Sequence, residues 1–155
     1  KIKNLVRVSI WVVLLQFVGF VMGQITRSNI SWYHSLYKSS LTPPDVVFGV
    51  VWTFLYVIIA LIGNFLWHYR DESKARGTWT LYIIQLLLNW AWTIIFFEFH
   101  LVFLAFLLIV VMIFINVNIV IKTKQRYYFA ANMTIPYIIW LAFAGYLNFM
   151  IWKLN

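Results

Sequence analysis

Uncharged, mostly apolar runs alternate with short polar breaks along the chain, and five of these runs are long. A helix needs roughly 20 apolar residues to cross a hydrocarbon core. Val8 to Thr26, Val46 to Trp67, Gly77 to Phe97, Leu101 to Ile121 and Tyr127 to Trp152 all reach that length. The pattern predicts an all-α membrane protein: one domain over residues 1–155, a bundle of five transmembrane helices with a long loop between helices one and two. Glu98 and His100, the polar side chains between the third and fourth runs, are costly at mid-membrane and fit a tight interfacial turn, so two helices are predicted there. A signal peptide competes for the first run because Lys1, Lys3 and Arg7 precede it, but Val21-Met22-Gly23-Gln24 lacks a small-x-small cleavage pattern. The run is read as a membrane helix.

Composition agrees with lipid as solvent. Residues are 64% hydrophobic and 10% charged, with a mean hydropathy of +0.86, which leaves too little polar surface to coat a soluble globule. A net charge of +8 would suggest nucleic acid in a soluble chain, yet here the basic residues sit in clusters between the runs. Lys1, Lys3, Arg7, Arg70, Lys74, Arg76, Lys122, Lys124 and Arg126 fall on one side of a five-span topology, against Arg27, Lys38 and Lys153 on the other. The positive-inside rule then puts the N-terminus in the cytoplasm and the loop of residues 27 to 45 outside. Cysteine is absent, which removes disulfides, iron–sulfur clusters and thiolate zinc. No inverted repeat of the transporter kind is found.

The long loop carries Trp32, Tyr33, Leu36 and Tyr37 at helical spacings, so a short helix burying them together over the bundle mouth is one reading. The other is an interfacial belt in which Trp and Tyr anchor at headgroup level. At Thr42-Pro43-Pro44-Asp45 a helix start is written: Thr42 suits a cap, Pro43 the first helical position and Asp45 the capping-box acid.

Phe48, Trp52 and Tyr56 lie four apart on one face of the second span. Gln85, Asn89, Trp92 and Phe96 form a similar stripe on the third, while Trp140, Phe143, Ala144, Leu147 and Asn148 cluster on the fifth. Gln85, Asn89 and Asn148 are expected to point inward and find partners; joining helix to helix is the ordinary use of such amides. Together with the aromatic faces they also suit a cavity for a flat, largely apolar ligand, and tetrapyrroles and sterols both qualify. Pro136 is expected to kink the fifth span near Asn132. Gly19 and Gly23 permit close helix approach, within the bundle or in a homodimer.

Trp32-Tyr33, Thr42-Pro43-Pro44-Asp45, Val47-Phe48 and Val51-Trp52-Thr53-Phe54-Leu55-Tyr56 closely resemble the tryptophan-rich sensory protein family, whose mitochondrial members are the translocator proteins, or peripheral benzodiazepine receptors. Leu88-Asn89-Trp90-Ala91-Trp92 with Phe96-Phe97, then Pro136-Tyr137, Trp140, Phe143-Ala144 and Leu147-Asn148, extend the resemblance over nearly the whole chain. The resemblance implies a five-helix bundle, often dimeric, that binds porphyrins and benzodiazepine- or isoquinoline-type ligands under the first long loop. Carried over residue by residue, that pocket takes Tyr33, Pro43, Phe48, Trp52, Asn89, Trp140, Ala144 and Leu147, with Trp32 supporting the lid. Tyr56, Trp92, Phe143 and Asn148 join them from the stripes above.

At the end of span five, Leu147-Asn148-Phe149-Met150-Ile151-Trp152-Lys153 departs from the cholesterol motif of the mitochondrial members: Phe149 lacks the hydroxyl, and Tyr146 stands one residue too far from Lys153. That argues against cholesterol and, with the basic loops, for a bacterial plasma-membrane member. Two functions follow as expectations. One is a receptor, sensor or carrier for tetrapyrroles. The other is an enzyme that degrades porphyrin oxidatively or with light, using Trp52 and Trp140. No acid–base pair, nucleophile triad or metal cluster stands in the spans, and His34, His68 and His100 lie near span ends, which disfavours hydrolysis and a haem electron carrier. No cofactor or metal is expected, and nucleic acid is not a partner.

Overall fold

The computed structural model describes residues 1–155 and contains five helices long and apolar enough to span a membrane, as the runs predict. They are α1 (Ile2–Ser28), α3 (Asp45–His68), α4 (Arg76–Thr93, continued by a π-helical turn at Ile94–Glu98), α5 (Val102–Thr123) and α6 (Tyr128–Leu154); α2 (Ile30–Ser35) is a short helix in the first loop. Neighbours around the bundle run α1, α3, α6, α5, α4 and back to α1. Of the 27 residues in α1 only Leu15 is buried, so this helix leans on the bundle from outside. α3 buries nine residues, as expected of a helix with neighbours on several sides.

Lipid supplies no hydrogen bonds, so each spanning helix satisfies its own backbone. The chain reverses between α4 and α5 in a few residues. Ile94–Glu98 widens to a π turn, the Leu101 N–H reaches back to the Ile95 carbonyl at 3.0 Å, and His100 takes φ 58° to turn the corner. Few non-glycine residues adopt that left-handed conformation, and histidine is among those that do. Glu98 thus lies at a helix end, accepting a bond from Asn29 Nδ2 at 3.1 Å. Pro136 sits inside α6 with helix on both sides.

Contacts at the end that carries most of the basic residues confirm that its segments share one side. Arg7 of α1 donates through Nε to Asn64 Oδ1 of α3 at 2.6 Å. Glu72, in the α3–α4 loop, accepts from Arg126 Nη2 at 3.0 Å and from the Tyr127 hydroxyl at 2.5 Å. The Tyr127 hydrogen bond, then Arg126, holds the Glu72 carboxyl below the usual glutamate range.

Packing differs along the bundle axis. In the half nearer the basic loops, termed the inner half, Trp11, Trp79 and Tyr82 bring α1 and α4 together, with Trp79 and Tyr82 stacked at 5.7 Å. The Tyr82 hydroxyl donates to the Ile59 carbonyl at 2.7 Å, and Arg70 lies 3.7 Å over the Trp67 ring. Gly63 is required here: a Cβ would come 2.8 Å from Tyr82 Cζ and 2.9 Å from Trp11 Cζ3. Further out, Gly19 gives the Tyr56 ring its place, since a Cβ would meet Cδ2 at 2.8 Å. Gly19 therefore serves packing inside the bundle. Beyond that crossing the next glycine on the same face, Gly23, has no atom within 4 Å of a built Cβ.

Candidate functional site

That gap is the mouth of a cavity of about 1020 Å³ in the outer half of the bundle, at the upper end of the range for small-molecule sites. α3 contributes Phe48, Trp52 and Tyr56, α4 Asn89 and Trp92, and α6 Trp140, Ala144, Leu147 and Asn148; Tyr33 of α2 closes the top. Its rings meet edge to face. Trp52 and Trp140 stand 6.5 Å apart at 90°, and Phe48 meets Trp140 at 5.9 Å and 72°. Such T-shaped pairs are favourable. The exception on the α4 side is Trp92, stacked on Phe96 at 5.0 Å and 17°.

Two of the three mid-span amides find the partners expected of them. Asn89 accepts from the Tyr56 hydroxyl at 3.1 Å and donates to the Tyr137 hydroxyl at 2.7 Å, joining α3, α4 and α6. Asn148 accepts from Trp92 Nε1 at 3.0 Å and donates to the Val102 carbonyl at 2.8 Å. Gln85 departs from the expectation. It is buried, but its Oε1 has no partner and it does not reach the cavity, because one turn deeper the bundle is closed by apolar packing. Trp140 Nε1 is likewise buried without an acceptor.

Three residues expected at the site lie off its wall. Trp32 faces the α4–α5 turn and stacks on the His100 ring at 3.8 Å and 6°, meeting Phe96 edge on at 5.4 Å. It supports the roof from behind. Phe143 packs beside Trp140 at 5.6 Å, and Pro43 stays in the extended segment before α3. The helix start is also shifted. α3 begins at Asp45 with Pro44, extended at ψ 153°, as its cap and no side-chain cap bond; Pro43 is kept out of the helix because a residue followed by proline is disfavoured there. The Asp45 carboxylate meets His34 Nε2 at 2.5 Å instead of capping.

The roof is smaller than the helical spacing suggests. Lys38 Nζ binds the carbonyls of Tyr33 and Leu36 at 2.8 and 2.9 Å where α2 has ended, Leu36 is extended, and Tyr37 is 74% exposed. Of the four apolar side chains only Tyr33 is fully buried, against Phe96 and Phe97. Burial, and secondly the negative charge of Asp45, push its hydroxyl up to about 12, so it is a neutral phenol at physiological pH. The loop is tied down on α6: Ser39 Oγ lies 2.9 Å from the Tyr146 hydroxyl, and the Asn155 side chain binds both the N–H and the carbonyl of Tyr37 at 3.1 and 2.8 Å.

The α1 wall was not expected. Gln16, Gly19, Phe20, Gly23, Gln24 and Arg27 all line the cavity. Phe20 is 62% exposed and, across from it on α3, Val46 and Val50 are 70% and 65% exposed, so the cavity opens sideways between the outer halves of α1 and α3. The spacing 16, 20, 23, 27 is a helical stripe and was visible in the sequence, but its mixture of one amide, one aromatic, one glycine and one arginine resembles no core face.

The chain has relatives along nearly its whole length. The chain is 30% identical to the tryptophan-rich protein TspO of Archaeoglobus fulgidus over 155 residues, 98% of this chain and 99% of the relative. It is 31% identical to that of Chlorobaculum tepidum over 99% of this chain and 98% of the relative. With the human translocator protein it shares 34% identity over 143 residues, 90% of this chain and 82% of the relative. Residues 11–153 match the family model described as TspO/MBR, a stretch that reaches all five spans and includes the roof, and the chain belongs to that family.

Proposed function

We propose that the chain is a membrane receptor or carrier whose outer cavity takes planar, largely apolar ligands of the tetrapyrrole class, with benzodiazepine- and isoquinoline-type compounds competing for the same space. The observation that carries this reading is the cavity of about 1020 Å³ walled by Phe48, Trp52, Trp92 and Trp140 and roofed by Tyr33. Ring faces and edges supply dispersion and quadrupole contacts to a flat guest at little conformational cost. The sideways mouth between α1 and α3 suits a guest that is itself soluble in lipid.

The test is titration of protoporphyrin against the purified protein, followed by tryptophan fluorescence. Saturable quenching is expected, with affinity falling about tenfold in Trp52→Ala and in Trp140→Ala as an aromatic wall is lost. Quenching no greater than that of an unrelated membrane protein of similar tryptophan content would remove the reading.

On the same reading the protein sits in a bacterial plasma membrane with the N-terminus and basic loops in the cytoplasm and the roof outside, supported by the crowding of Lys and Arg at the inner end. The chain has no cysteine, so single cysteines introduced at Ser40 and Ser73 report sidedness cleanly. An impermeant maleimide added to intact cells is expected to label the first and spare the second.

A further inference from the structure

The two amides deep in the cavity are already occupied, and the unpaired Trp140 Nε1 is buried out of a guest's reach. Asn89 is held between the Tyr56 and Tyr137 hydroxyls, and Asn148 between Trp92 and the Val102 carbonyl. A guest's polar edge gains little there, since it must displace bonds the protein makes to itself.

The rim is different. Two charged residues line the cavity, Asp45 at the start of α3 and Arg27 in the last turn of α1. Asp45 is paired with His34 at 2.5 Å. Lys38 is engaged on two carbonyls, Thr26 on the Met22 carbonyl and Glu98 with the Asn29 amide, while the Gln24 side chain beside Arg27 is free but uncharged. Arg27 has no hydrogen-bond acceptor and belongs to neither of the chain's two ion pairs, although its place at a helix C-terminus favours a cation. It stands on the one wall that leans away from the bundle, above the open face at Gly23.

We propose that the cavity selects planar guests that carry a carboxylate on one edge, and that Arg27 receives it. This deepens the reading given under Proposed function and rests on it. The apolar plate lies against Trp52 and Trp140 while the charged edge stays at the rim, within reach of water. A guanidinium fork binds a carboxylate through two parallel N–H donors, which fixes orientation as well as adding affinity. The position also keeps the carboxylate from being desolvated, the cost that would exclude a charged guest from a sealed pocket.

Protoporphyrin and its dimethyl ester share one plate and differ in charge, so their affinities separate the two parts of the site. Both are titrated by tryptophan quenching in an uncharged maltoside detergent. The acid is expected to bind wild type about fivefold more tightly than the ester, the range of a charge-assisted contact at a partly exposed site. Arg27→Gln should abolish that ratio while leaving the ester's affinity unchanged, and Arg27→Lys should restore part of it. Raising salt on wild type should shrink the acid's advantage and leave the ester alone. Equal binding of acid and ester by wild type, a ratio that survives Arg27→Gln, a variant that weakens both compounds alike, or a salt-independent ratio would each overturn the assignment of Arg27 and leave the tetrapyrrole site standing. Failure of both compounds to quench would overturn the tetrapyrrole site and the Arg27 assignment together.

Discussion

At Gly63 a hydrogen is all the space allows, with the Tyr82 and Trp11 rings against it, whereas at Gly23 on the neighbouring helix a methyl would meet nothing within 4 Å. The two glycines stand for the two halves of the bundle. Inner Trp11, Trp67 and Trp79 fill their space with each other, with Tyr82 and with the Arg70 guanidinium. Outer Trp52, Trp92 and Trp140 instead border a cavity. The same residue type is packing in one place and wall in the other, and what separates them is whether α1 stays against α3. It does as far as the Gly19–Tyr56 crossing and not beyond.

The contrast is broken hardest at its tight end. Gly63→Leu must displace Tyr82 or Trp11 and is expected to destabilise the protein by about 3 kcal/mol, as overpacking does, read as a lower midpoint in a detergent thermal melt. Gly23→Leu should change the same melt by less than about 0.5 kcal/mol. Gly23→Phe sharpens the comparison from the open end: it should leave the melt in place and block porphyrin quenching, so an unaltered titration would show that the cavity is not the binding site.

Asn89 lies at the boundary. Asn89→Leu leaves the buried Tyr56 and Tyr137 hydroxyls without their shared partner and is expected to cost about 1–2 kcal/mol in the same melt. The smallest effect is at the inner loops. Glu72 titrates lower in the folded than in the unfolded chain, so its contribution is whole at neutral pH and is lost as pH falls through the glutamate range toward the folded value. Glu72→Gln should flatten that acid limb of a stability-versus-pH profile and change nothing else in its shape.

The spans were legible because lipid imposes a length and forbids charge, two constraints any reader can count. The α3, α4 and α6 walls were legible because side chains four apart share a face whatever the tertiary context. What escaped notice depends on relations between segments. α1 reads as a uniformly apolar helix with a glycine pair, and only the splay of two helices reveals that its outer stripe faces a void. Trp32 and Phe143 have the right chemistry one position away from the right direction, since a neighbour of a wall residue points elsewhere on the helix. Thr42 does not cap for a local reason: the proline after Pro43 disfavours helical backbone there and Pro44 itself is extended, so the helix starts at Asp45.

The bonds from Ser39 and Tyr37 to Tyr146 and Asn155 make the cover of the cavity and the outer arm of α6 a single mechanical part. Ala144 and Leu147, on that same arm, line the space beneath, and Pro136 below them removes one rung of the backbone ladder, the kind of place where helices bend. A ligand that displaces the arm is therefore expected to move the cover with it, like a pedal bin. Spin labels at Ser40 and Trp152 are expected to hold their separation on ligand addition while both move relative to a label on α1.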